Sequence, residues 1–180
     1  MNLRSTLWAV AAVMVGGTMG CGEQPKYYRV AIDRAPLDNL PASCYRSGTP
    51  PTEKTNNVVD VAQWVLWDGV EDRQYLQVGD INYSLGDASV RITTGDAIVS
   101  SEVDKKTTFT VERTQTDPAR TTRVTYTLDK ESMGTLEGTL SLSYSCTGTT
   151  GCAPNCDASL HFVGRQVDAD SMIVVSNTAG

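Results

Sequence analysis

The chain has 180 residues, a formal net charge of −6 and a mean hydropathy of −0.23. The acidic balance argues against nucleic acid and against docking on anionic lipid, and the length fits one domain with a real core. Thr, Ser, Val and Gly are abundant, Phe occurs only 2 times, and no Ala/Glu/Leu/Lys-rich block suggests long helices; this is the composition of half-buried strands.

The first 20 residues have the three-part layout of an export signal. Arg4 gives a short cationic start. Residues 7–15 (LWAVAAVMV) form the apolar stretch, too short at ~1.5 Å per residue to cross a ~30 Å hydrocarbon core. Thr18-Met19-Gly20-Cys21 then resembles the lipobox of bacterial lipoproteins. Gly20 and Cys21 match that pattern; Thr18 stands where an aliphatic residue is usual, and Met19 is larger than usual. The resemblance implies cleavage between Gly20 and Cys21, a diacylglyceryl thioether on the Cys21 sulfur and an acyl chain on its amino group. No other cofactor is expected. Buried acyl chains contribute roughly 0.8 kcal/mol per CH₂, and two or more make a stable anchor. Gly22 is not the Asp that retains such proteins in the inner membrane, so the expected address is the outer membrane. Losing Arg4 with the signal leaves the mature chain at −7. Residues 21–25 would form a short lipidated tether and residues 26–180 a single β domain.

Residues 27–33 (YYRVAID) alternate, with Tyr28, Val30 and Ile32 on one side, and predict a strand. Pro36, Pro41, Pro50 and Pro51 make residues 34–57 a long loop with room for one helical turn at 37–40. Residues 58–67 predict a strand, Asp68-Gly69 a turn lengthened by residues 70–73, and residues 74–78 the return strand. Gly79-Asp80, Gly86-Asp87 and Gly95-Asp96 punctuate short segments at 81–85, 89–93 and 97–99. Turn chemistry explains these pairs more simply than calcium loops do.

The C-terminal half alternates clearly. Phe109, Val111 and Arg113 share a face in residues 107–115, and Thr122, Val124, Tyr126 and Leu128 do so in residues 120–129. Leu136, Leu140, Leu142, Tyr144 and Cys146 line one face of residues 135–146, where Gly138 marks a bend. In residues 158–167, Leu160 and Phe162 oppose Ser159, His161 and Arg165. These patterns predict an all-β fold, an antiparallel meander forming a β-sandwich or barrel. Residues 172–175 would add a last edge strand. The long meander resembles a lipocalin-like barrel, although the glycine–tryptophan signature of lipocalins is absent. Tyr144-Ser145-Cys146 resembles the Tyr-x-Cys corner of immunoglobulin domains, with Cys44 and Trp64 as accompanying marks; here Cys44 sits in a Pro-rich loop instead of a strand.

Besides Cys21, four cysteines remain: Cys44, Cys146, Cys152 and Cys156. An even number in an exported chain predicts two disulfides bracing the fold. Three pairings exist. The favoured one joins Cys146 to Cys156 across the mouth of a hairpin loop, and Cys44 to Cys152. The C-x5-C-x3-C spacing lacks the paired C-x2-C knuckles of structural zinc sites, so no metal is expected.

No catalytic constellation stands out. His161, the only histidine, falls on a polar face with no nucleophile or orienting acid near it in sequence. Glu71 with Asp72, and Asp168 with Asp170, pair carboxylates in turn or end segments, where solvated charge is a plainer reading than acid–base chemistry. Arg113 lies on the apolar side near a strand end, suited to an anion inside a barrel or to snorkelling at its rim. Trp64 and Trp67 point to opposite faces, so one fits the core and the other an exposed or ligand-lining position; core packing is the plainer reading of both, and with Arg113 they are the candidate binding surface. The chain is similar to small outer-membrane lipoproteins of myxobacterial type in its lipobox, its WVLWDG hairpin (residues 64–69) and its Cys-bounded last hairpin. That likeness implies a non-enzymatic lipoprotein whose β domain binds an envelope protein, with motility or adhesion complexes among the settings. The other expectation is a lipid or small-molecule carrier with a barrel pocket.

Overall fold

A computed structural model describes residues 24–44, 60–69, 73–85, 88–93, 95–116, 118–148 and 151–169. The signal segment, Gly20, Cys21, Glu71, Asp72, Asp170 and the strand expected at 172–175 lie outside the described residues.

Among the described residues the alternation becomes ten strands: β1 (Lys26–Ile32), β2 (Val61–Asp68), β3 (Gln74–Gln77), β4 (Ile81–Leu85), β5 (Ala88–Ile92), β6 (Ile98–Val103), β7 (Lys106–Thr116), β8 (Ala119–Ser132), β9 (Thr135–Thr147) and β10 (Cys156–Val167). In β10 the pattern is strict: Cys156, Ala158, Leu160 and Phe162 are buried, while Asp157, Ser159 and His161 are exposed. One helical turn, α1 (Ala35–Asp38), forms slightly before the expected place. Pro36 stands in its first turn, where a missing N–H costs nothing, and the Asp33 carboxylate accepts the Ala35 amide at 3.1 Å.

Eight of the strands close an antiparallel barrel in the order β1-β10-β9-β8-β7-β6-β3-β2. The expected all-β, disulfide-braced fold is therefore present, in its barrel form. Closure falls to β1, which sets Tyr28 opposite Gln166 on one side and Trp64 on the other. The remaining strands are not part of the wall. β4 and β5 pair only with each other, between β3 and β6 in sequence, and pack against the inner side of β7, β8 and β9.

Two tight turns carry residues other than glycine in the left-handed region: Asp104 and Lys105 between β6 and β7, and Met133 before Gly134 between β8 and β9. β6 thus runs to Val103, well past the expected stop at residue 99. The expected bend at Gly138 is a register shift: Leu128 faces Gly138, but Lys130 faces Glu137. A Cβ at Gly138 would lie 2.0 Å from the Thr127 carbonyl oxygen, so only glycine lets the two backbones approach there.

The disulfides are Cys44–Cys156 and Cys146–Cys152, with Cα separations of 5.4 and 5.7 Å, which corrects the favoured pairing. The cause is the direction of the side chains. Cys156 opens β10 pointing inward, toward the short helical turn Ala42–Cys44 that packs the buried Cys44 over this end of the barrel. Cys146 sits at the rim opposite Arg120, beyond the last paired residue of β10, so the descending loop presents Cys152 to it first.

Candidate binding surface

The barrel interior is packed with side chains. Trp64, Tyr28, Tyr83, Tyr126, Phe109 and Phe162 are all essentially fully buried. The Trp64 ring meets Tyr126 edge-on at 5.3 Å and Phe162 at 4.7 Å between centroids. Trp64 therefore does not belong to a surface, because β2 alternation turns it inward with Ala62 and Leu66.

Trp67 points the other way. It stands on the outer wall, half-buried, directly opposite Tyr75 of β3, and the two rings stack at 5.6 Å with 12° between planes. Gly69 makes this possible: a Cβ there would lie 2.0 Å from Tyr75 Cε2. The neighbouring Gln74 side chain donates from Nε2 to the Asp68 carboxylate at 3.1 Å and holds the hairpin end. Beside Tyr75 in the ladder lies Val99 of β6, 41% exposed. A half-buried aromatic step thus adjoins an exposed aliphatic residue.

Next to Val99 an open cleft of about 520 Å³ runs between β5, β6 and β7. Ile92, Ile98 and Val111 give it an apolar floor; Arg91, Asp96 and Glu112 stand on its rim. Both carboxylates are engaged. The Thr93 hydroxyl and amide donate to Asp96 at 2.6 and 2.8 Å and hold its carboxyl below the usual range. Glu112 accepts from Arg123, its cross-strand partner, at 2.7 Å. Arg91 and Arg113 are exposed, and neither has an ion-pair partner among the described residues.

No protein-family model matches the chain, and no curated protein matches it in sequence.

The remaining candidates fall elsewhere. Arg113 is exposed near the end of β7, opposite the buried Thr122 of β8, at the rim of the barrel. It is three strands from Trp67, so the two do not form one patch. His161 is exposed on β10 and lies 3.3 Å from Glu137 across the ladder. No group of three or more His, Cys, Asp or Glu suited to a metal occurs among the described residues. Among them, too, no helix is long and apolar enough to cross a membrane. Sequence reasoning missed the cleft, which exists only because β4 and β5 leave the wall. The Trp67–Tyr75 step was reachable, since two aromatics flanking a Gly-containing hairpin loop at matched distances are natural cross-strand partners.

Proposed function

We propose that this chain is a non-enzymatic lipoprotein of the outer membrane, anchored by acyl chains on Cys21, whose barrel wall binds an envelope protein. The observation that carries the reading is the Trp67–Tyr75 step beside exposed Val99. Aromatic rings half-buried on the outer wall offer large contact area at low entropic cost, which is what interface anchors need. The neighbouring outer wall contrasts with it: Thr110, Thr125, Ser141 and Ser159 follow one another across β7 to β10. A carrier would use its interior, and here aromatic and aliphatic side chains fill that space among the described residues.

The reading is tested by placing a photo-crosslinking amino acid at position 67, and separately at position 141, in cells that make the lipoprotein. Irradiation should give one dominant adduct from position 67 and none from position 141. Equal adducts from both sites, or none from position 67, would reject a specific interface there.

A further inference from the structure

The turn between β8 and β9 breaks a local rule. Met133 and Gly134 both have positive φ, 49° and 73°, the backbone of a two-residue hairpin turn that favours Asn, Asp or Gly at its first position. A bulky apolar side chain is strained in that region, and here it gains no packing: Met133 is fully exposed. Strain kept without packing points to a role outside the fold. The neighbouring turn joins β6 to β7, and there Val103 is 53% exposed. β8 ends and β7 begins at the same end of the barrel, so both turns stand on one rim.

The chain enters the barrel at that rim. Lys26 opens β1, and its ammonium lies 3.0 Å from the carboxylate of Glu131, two residues before Met133. Cys21 is only five residues before Lys26, a stretch that covalent geometry limits to about 18 Å. Acyl chains on Cys21 would hold this rim next to their bilayer. Charge does not select the surface. Lys26–Glu131 and Lys106–Asp129 are ion pairs, and the other exposed charges there have both signs, Glu102, Asp104 and Asp168 against Lys105, Lys130 and Arg165. What the rim offers is apolar reach.

We infer that this rim docks on the bilayer that holds the anchor, with Met133 inserted at the boundary of headgroups and acyl chains and Val103 against it. The contact is weak in itself, and the tether makes it effective by keeping the rim at high local concentration. The inference rests on the reading that Cys21 is acylated, and it gives the anchored barrel an orientation. Trp67 follows the Leu66 that pairs with Lys26, so the docked barrel brings the Trp67–Tyr75 step close to the same bilayer.

The test uses the lipidated protein in phosphatidylcholine vesicles whose acyl chains are brominated near the headgroup. A fluorescent amino acid replaces Ser132 at this rim or, separately, Thr116 at the opposite end; both positions are exposed. Bromine should quench the label at position 132 and leave the label at position 116 unaffected. Met133→Asn removes the apolar reach and supplies a residue that accepts positive φ, so its urea midpoint should hold or rise. Quenching at position 132 should fall about fivefold in that variant while the protein still floats with the vesicles. Equal quenching at the two positions, none at either, stronger quenching at position 116, or quenching at position 132 that Met133→Asn leaves unchanged would overturn the docking. So would a lowered midpoint, because Met133 would then belong to the fold. In each of these cases flotation of the unaltered protein leaves the anchor reading standing; protein that does not float overturns the anchor, and the docking with it.

Discussion

Tyr83 of the inserted hairpin places its hydroxyl 2.6 Å from that of Tyr126 on β8, and both rings are fully buried. This bond ties the hairpin to the inner face of the wall. Removing one hydroxyl strands the other where water does not reach it. Tyr83→Phe or Tyr126→Phe alone should cost about 1–3 kcal/mol, while the double variant should cost less than the sum of the two. Urea unfolding of the four proteins closes the cycle. Additive losses would mean that the hydroxyls act independently.

The same pair sets an alkaline limit. Burial pushes both phenols above the ordinary tyrosine value of 10.0, and two tyrosinates side by side would repel each other. Below pH ~10 the folded and unfolded chains both keep these protons, and the contribution to stability is complete. Above it the unfolded chain releases protons that the barrel retains, so stability falls as pH rises. Phenolate absorbance of these two residues should appear together with loss of the circular-dichroism signal. The Y83F/Y126F variant should show a shallower decline of stability above that pH.

The disulfides should separate by accessibility and by loop length. Cys44 and Cys156 are buried and 112 residues apart, whereas Cys146 and Cys152 are half-buried and 6 apart. In the chain-entropy account the long loop is worth roughly 5 kcal/mol and the short one roughly 2. Mild reductant followed by alkylation and mass spectrometry should label Cys146 and Cys152 first. Replacing Cys44 and Cys156 with Ala should lower stability more than replacing the other pair. The reverse order in either experiment would contradict this account.

The long strands were readable because burial on one side writes a period of two into the sequence. Phe109, Tyr126, Leu140 and Leu160 all face the interior as their alternation indicates. Three features were not readable, each for a physical reason. The Asp104-Lys105 turn carries no glycine, so β6 looked shorter than it is. The excursion of β4 and β5 is held by contacts such as Tyr83 to Tyr126, 43 residues apart, which no local pattern records. The disulfide pairing depends on which way Cys156 faces at the start of β10, and spacing alone carries no direction. The candidate surface divided in the same way. Trp64 and Trp67 were legible as opposite faces, but which of them faced the core required closure of the barrel.

That division predicts contrasting effects for the two tryptophans. Trp64→Ala removes a ring in contact with Tyr126 and Phe162 and should cost about 3–5 kcal/mol. Trp67→Ala loses the stack on Tyr75 at a half-buried site and should cost about 1 kcal/mol. Denaturant midpoints measure both. Acrylamide quenching of the folded protein should fall away in Trp67→Ala and remain in a Trp64→Phe variant. Comparable destabilisation by the two alanine substitutions would mean that Trp67 is a core residue and would remove the basis for an interface there.

The last prediction concerns the anchor. The lipobox-like run Thr18-Met19-Gly20-Cys21 predicts a mature chain that begins at Cys21 and carries acyl chains. Intact mass spectrometry of protein extracted from membranes should show that acylated species, with four hydrogens gained on reduction of the two disulfides. Cys21→Ser should give a soluble or unprocessed protein. The folding of the barrel should not depend on this change, because the two bridges use other cysteines. The variant should therefore keep the urea midpoint of the unaltered protein while losing its membrane fraction. Membrane association that survives Cys21→Ser would reject the lipid anchor, and a changed midpoint would mean that the N-terminal segment contributes to the fold.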